Sequence, residues 1–304
     1  MIMRKKILRV LVVIMTMIAI VCVIAFAAYK KINRVENVQL DATEEELNVS
    51  PEIAQQSKEK KITNILLLGV DKDENASDAI MVLSIDQNNN TAKLTSIMRD
   101  TYVYFGEGKA NKINYAYNYG GVKLSIAKIN EIFNLDIQKY AKVDFDGFMN
   151  IVDTLGGYSV NISEAERKEI NYKLRYESLT KSGNVLLNGE QTAAYARIRR
   201  IDNDYKRTER QRTIMFDILN KIKAQPISEY LSLIAQLSSN VETNLSTMEC
   251  LDLLKYLVKA GSGDVKEFRI PMDGTATDNT KGVYHLDWDE ETNINGLHNF
   301  IYGD

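Results

Sequence analysis

Residues 62–70 read Ile-Thr-Asn-Ile-Leu-Leu-Leu-Gly-Val (ITNILLLGV), with Asp71 directly after. A near-continuous apolar run of this length, closed by a glycine, predicts a strand buried on both faces, as in sheets with helices packed on either side. The runs downstream agree. Ala79 to Asp86 (AIMVLSID) predicts a second strand and Thr91 to Met98 (TAKLTSIM) a third, with Asn88-Asn89-Asn90 supplying the turn between them. Helical spacing then takes over at Val122, Ile126, Ile129 and Phe133. Tyr140 to Phe145 reads as a strand, and Phe148, Ile151, Val152 and Leu155 as a helix stopped by Gly156-Gly157. Tyr158 to Ile162 is a further strand. Gly189 to Arg197 predicts a short helix and Glu209 to Lys223 a longer amphipathic one. Helices around Tyr230–Leu237 and Met248–Ala260 and a strand at Val265–Ile270 follow. Strands alternating with helices predict an α/β domain over residues 62–272, built on a central mixed sheet flanked by helices. Residues 273–304 form a polar, aromatic tail to which no element is assigned.

Working back from Ile62, residues 29–61 are polar, with the run Glu44-Glu45-Glu46 and no apolar period, and read as a stalk or a marginal helix. Before them Val10 to Ala28 carries no charge. Its 19 residues span roughly 28 Å as a helix, close to the thickness of a bilayer's hydrocarbon core. Ala25-Phe26-Ala27 resembles a cleavage site, but the apolar stretch exceeds the roughly 7–15 residues of a signal-peptide core, which favours an uncleaved anchor. Residues 1–9, with Arg4, Lys5, Lys6 and Arg9, then form a cytoplasmic arm, and some 270 residues lie outside the cell.

The chain of 304 residues is 45% apolar and 26% charged with 3 prolines, which excludes collagen-like and wholly disordered classes. Cys22 and Cys250 are too few for a disulfide scaffold, and their spacing fits no zinc site. His285 and His298 leave little material for histidine chemistry. The net charge of −3 is an average over unlike parts: beyond residue 31 the chain holds 32 basic and 41 acidic side chains, so that portion sums to −9. Within it, Arg197 to Arg212 holds seven basic and three acidic residues, six of the seven being arginine. Arginine's planar fork suits phosphate oxygens. An extracellular position argues against nucleic acid, so the partner expected is a phosphate or pyrophosphate on a membrane-borne or wall-borne molecule. A solvated helix face is the competing reading, and it suits Arg210 and Arg212 better than Arg197 and Arg199.

Other candidate groups sit at strand ends. Asp71 follows the first strand and Asp78 precedes the second, a placement where ligands collect in α/β sheets. Two such carboxylates suit Mg²⁺ completed by phosphate oxygens, or they merely cap a turn. Arg99-Asp100 follows the third strand and offers either a phosphate fork or a surface ion pair. Between Lys112 and Gly121, Tyr115, Tyr117 and Tyr119 supply aromatic faces that stack on sugars or pack ordinary edges.

ILLLGVD, SDAIMVLSID, SIMRDTYV, KINYAYNYGG, KVDFDGFMNIVDTLGG, LNGEQTAAYARIRR and DYKRTERQR, in this order, closely resemble the LytR-CpsA-Psr family of bacterial cell-envelope proteins, over roughly Lys61 to Lys223. The resemblance implies a catalytic α/β sandwich whose apolar groove holds a lipid tail. It implies a phosphotransferase moving a glycopolymer, such as teichoic acid or capsule, from a polyprenyl pyrophosphate carrier to a peptidoglycan sugar hydroxyl, in a single-pass membrane protein of a Gram-positive-type bacterium. By motif, Asp71 and Asp78 would hold Mg²⁺ or Mn²⁺, with Asp78 also at the reacting centre. Arg99, Arg199 and Arg207 would clamp the pyrophosphate, supported by Arg197 and Asp204, with Lys112 near. Ala76 and Met98 stand where the family often has Arg and Pro, and Lys206 where Gly is common. A hydrolase using water as acceptor and a non-catalytic lipid-binding regulator are the alternatives.

Overall fold

The computed structural model describes residues 38–259 and 265–303. The arm, the expected anchor at 10–28 and the first part of the expected stalk lie outside the described residues. No helix among the described residues is long and apolar enough to cross a membrane.

The opening run forms β1 (Ile62–Asp71) at the centre of a six-stranded sheet. β2 (Ala76–Asp86) and β6 (Ile137–Asp144) flank it, followed outward by β3 (Thr91–Ile97) and β10 (Val265–Ile270) on one side and β9 (Glu242–Thr243) on the other. β1 pairs antiparallel with β2 and parallel with β6, and β3 pairs parallel with β10, so the sheet is mixed as expected. The near-continuous hydrophobicity of β1 follows from its two covered faces. Ile62, Leu66, Leu68 and Val70 enter one core, and Ile65 and Leu67 pack into the other.

The first core is closed by α1 (Pro51–Lys60), α2 (Tyr115–Phe133) and α9 (Glu290–Tyr302), through Ile53, Ile126, Phe133, Leu297 and Ile301. The second is closed by α6 (Asp204–Lys223) and α8 (Thr247–Lys259). Beside it α3 (Phe145–Thr154), α5 (Gly189–Ala196), α6 and the hairpin of β7 (Tyr158–Ile162) and β8 (Gly183–Leu187) bury a third cluster around Ile170 of α4 (Glu164–Leu174). α7 (Tyr230–Leu237) completes this side.

Three expectations need correction. The stalk ends early: Leu47, Val49 and Ile53 are buried in the first core, and Ser50 caps α1 by accepting the Ile53 N–H at 3.3 Å. Residues 273–304 are integral, supplying β11 (Ala276–Asn279), β12 (His285–Trp288) and α9. α9 escapes a hydrophobic reading because a polar residue, Asn293, is fully buried on its inner face, donating to Thr275 and to the Asp289 carbonyl and accepting the Met272 N–H. Finally α2 begins at Tyr115, seven residues before the apolar period, because Gly120 and Gly121 break the helical backbone between its two parts.

Candidate functional site

The site forms where the β1–β2 hairpin, the end of β3 and the start of α6 converge. A bulge between Gly69 and Val70 shifts the β1–β2 register from Gly69–Ala79 to Val70–Ser77, leaving Asp78 as the extra residue. Asp71 does cap the turn, its Oδ1 accepting the Asp73 N–H at 2.8 Å, but its Oδ2 also lies 3.7 Å from Arg197 Nη2. The turn-capping reading of Asp71 therefore holds, and the same carboxylate pairs with Arg197.

Two residues beyond β3, Arg99 ion-pairs with Asp78, and its Nε stands 3.7 Å from Asp100 Oδ2. The hairpin of β4 (Tyr102–Gly106) and β5 (Lys109–Lys112) places Lys112 opposite Tyr102. Lys112 Nζ thereby reaches Asp100 Oδ1 at 3.0 Å. At the first turn of α6, Asp204 receives Arg207 Nε at 3.1 Å and Arg199 Nε at 3.4 Å. Its carboxylate also sits at the favourable end of the helix dipole.

The centre of this network is buried, with Asp100, Arg207 and Asp204 exposed by 1%, 3% and 6%, while Arg197 and Arg199 are exposed. Burial raises the Asp204 carboxyl above its usual range, against the pull of Arg207, and Asp100 adds to the rise. Burial lowers Arg207, with the Asp204 charge opposing it. For Arg99 burial is outweighed by the carboxylates of Asp78, Asp100 and Asp204, and its pKa is raised. The Nε atoms of Arg99 and Arg207, with Asp100 Oδ2 and Asp204 Oδ1, find no hydrogen-bond partner among the described residues. Arg207 Nε stands at ion-pair distance from Asp204 but out of line for a hydrogen bond, and Arg99 Nε, at 3.7 Å from Asp100, is beyond hydrogen-bond reach. Buried arginine donors left in that condition suit an anionic ligand.

From the Asp78 and Arg197 end of this network an apolar cavity of about 300 Å³ runs between the sheet and α3, α5 and α6. Leu67, Met81 and Leu83 line its sheet side; Phe148, Ile151, Ala193, Ile214, Met215 and Ile218 line its helical side. A more open depression on the β7–β8 hairpin is lined by Ser159, Val160, Asn161, Asn184 and Val185, none of them titratable.

All eight residues singled out in the sequence, Asp71, Asp78, Arg99, Lys112, Arg197, Arg199, Asp204 and Arg207, thus enter ion pairs of one region. Other basic residues of the cluster do different work. Arg210 is buried and braces Asp202, Glu166 and the Ile198 carbonyl, and Arg212 pairs with Glu267, so neither is a solvated helix face. Arg200 stacks on Tyr172 at 4.1 Å. Tyr117 packs against the first core and Tyr119 accepts from Asn111, which favours the edge-packing reading of the tyrosines. Lys173, on the unpredicted α4, was missed; burial and then Arg197 lower its pKa. The cavity lining also had no sequence signal, because groove-facing and core-facing apolar residues look alike.

A chain from Bacillus mycoides named polyisoprenyl-teichoic acid–peptidoglycan teichoic acid transferase TagU is 34% identical over 281 residues, 90% of each chain. The crystal structure of B. subtilis TagV superposes with a TM-score of 0.66 at 27% identity, covering 80% of this chain and 98% of that one. A structure described as TagT bound to LI-WTA gives 0.67 at 25% identity, covering 79% and 90%. The model of the LytR_cpsA_psr family matches residues 23–296, and the chain belongs to that family.

Proposed function

We propose that this protein transfers a glycopolymer from a polyprenyl pyrophosphate carrier to a sugar hydroxyl of peptidoglycan, as a single-pass membrane protein with its folded domain outside the cell. One observation carries the reading: the lining of the apolar cavity includes Asp78, paired with Arg99, and Arg197, paired with Asp71, so a slot suited to a lipid ends at arginine–carboxylate pairs. The relatives named as teichoic acid transferases support the transferase class and make teichoic acid the first polymer to try.

In this reading the prenyl tail lies in the cavity, and Arg99, Arg199 and Arg207 meet the pyrophosphate oxygens, exchanging carboxylate partners for phosphate. Arg197, stacked on Phe145 at 4.3 Å, and Lys112 hold the rim. The acceptor hydroxyl attacks the phosphorus attached to the polymer, and its proton passes to a carboxylate beside Arg99, either Asp78 or Asp100. The bond to the polyprenyl phosphate breaks, and the charge gathering on that leaving group is stabilised by arginines already in place. Among the described residues no three metal-binding side chains converge. Asp71 and Asp78 nevertheless offer two hard oxygen donors on one hairpin, which fits Mg²⁺ or Mn²⁺ when phosphate oxygens complete the shell. Bound there, the ion would neutralise charge on the pyrophosphate.

The test incubates the full-length chain with polyprenyl-pyrophosphate-linked polymer, Mg²⁺ and peptidoglycan. A covalent polymer–wall adduct is the expected result. Release of free polymer with no adduct would replace transfer by hydrolysis, and an unchanged donor would refute catalysis.

A further inference from the structure

The cavity lining meets the charged network at Asp78 and Arg197, while Asp100, which does not line the cavity, is held by a different element. The β11–β12 hairpin is stitched onto the segment after Arg99. Leu286 donates its N–H to the Asp100 carbonyl at 2.8 Å and bridges to Thr101. Trp288 Nε1 donates to the Tyr102 carbonyl at 2.9 Å, and His285 stacks on Tyr102 with ring centroids 4.0 Å apart. Within the hairpin the Tyr284 hydroxyl donates to Asp278 Oδ1 at 2.9 Å. Burial, that bond and the charges of Asp278, Asp100 and Asp204 all raise the Tyr284 pKa. Tyr205, adjacent to Asp204, lies under the Arg269 guanidinium at 4.6 Å, and its phenol also senses Asp278.

We propose that Tyr284, Asp278 and Tyr205 form the acceptor site, a carbohydrate-binding face at the Asp100 end of the network. The proposal rests on the transfer reading, since it supplies the second substrate of the same centre. A glycan is the chemistry these groups recognise. Partly exposed tyrosine rings stack on the apolar faces of sugars, and the exposed Asp278 carboxylate accepts hydrogen bonds from sugar hydroxyls. Entry from this side brings a hydroxyl to Arg99 from the end of the network away from the lipid cavity, so the two substrates need not compete for one opening.

The test measures binding of a soluble, uncrosslinked peptidoglycan tetrasaccharide to the full-length chain by calorimetry, without donor, and separately binding of polyprenyl pyrophosphate. Tyr284→Ala is expected to weaken glycan binding about tenfold, the scale of one lost aromatic contact, while donor affinity stays unchanged. Tyr284→Phe, which keeps the ring and loses the Asp278 bond, is expected to lose about threefold. In turnover, acceptor KM should rise more than kcat falls. Wild-type glycan affinity in Tyr284→Ala would overturn the proposal. So would an equal loss of donor affinity, which would mean the hairpin only props Asp100. Because glycan binding is read without donor, a chain that binds glycan through Tyr284 yet makes no adduct would sink the transfer reading and leave this site standing.

Discussion

Arg207 and Arg99 carry the same chemistry in different surroundings, and their variants should behave differently. Arg207 is buried on Asp204, so Arg207→Ala strands a buried carboxylate and is expected to cost about 3–5 kcal/mol of stability along with activity. Arg99, 12% exposed in its side chain, sits at the cavity end with Asp78. Arg99→Ala should lower transfer about 10²- to 10³-fold, the scale of removing one charge-stabilising donor, with a smaller stability loss. Adduct formation and urea unfolding on both variants check this. Equal stability losses, or full activity in Arg99→Ala, would contradict it. These residues were legible in the sequence because their chemical types stand at strand ends and helix starts. The partner choices were not legible: Arg210 and Arg207 are three residues apart on α6, yet one braces Asp202 and the other Asp204.

At the scale of elements, the position of α3 decides the width of the cavity. Asp144 caps it, Oδ1 accepting the Gly147 N–H at 2.8 Å. Burial pushes the Asp144 carboxyl up, but the Lys72 contact and the Gly147 N–H outweigh it, so the folded pKa lies below the unfolded one. The stability this contributes is present above the unfolded pKa and is lost as pH falls through the folded value. Asp144→Ala should therefore cost about 1 kcal/mol near neutrality, and the gap to wild type should narrow on acidification, as followed by urea unfolding across pH. Where α5 meets α3, a Cβ on Gly189 would stand 2.2 Å from the Met149 carbonyl oxygen. Gly189→Ala must push the two helices apart, with an expected cost of about 1–3 kcal/mol in the same measurement. The strand expected at Tyr158–Ile162 has those bounds, and the helix expected around Tyr230–Leu237 is found there. The bounds of α2 and α9 were not foreseen, since a glycine pair and a buried asparagine interrupt the hydrophobic signal.

Across the whole molecule, the sheet's two faces have separate tasks. One face is sealed by α1, α2 and α9, of which α1 and α9 come from segments the sequence alone assigned to a stalk and a tail. The other is left partly open under α3, α5 and α6, and that opening is the cavity. The resemblance implied a groove, but its lining could not be read from sequence, because a gap between apolar layers depends on where helices stop approaching, while composition records only that they are apolar. Ala193 offers the sharpest probe of this arrangement. It lines the cavity from α5, whereas its neighbour Ala194 packs into the third core cluster. A phenylalanine at 193 would therefore occupy cavity volume while the ion pairs of Arg99 and Arg207 remain in place. Burial of a prenyl chain contributes about 0.8 kcal/mol per methylene-sized group, so excluding even one isoprene unit should weaken binding about tenfold or more. A short-chain pyrophosphate, anchored mainly by its head group, should bind nearly as before. The expected result is that wild type prefers long-chain over short-chain prenyl pyrophosphate and Ala193→Phe loses that preference by weakening only the long-chain ligand. If the variant keeps the preference intact, the tail lies elsewhere and the cavity is only a packing defect of the sandwich.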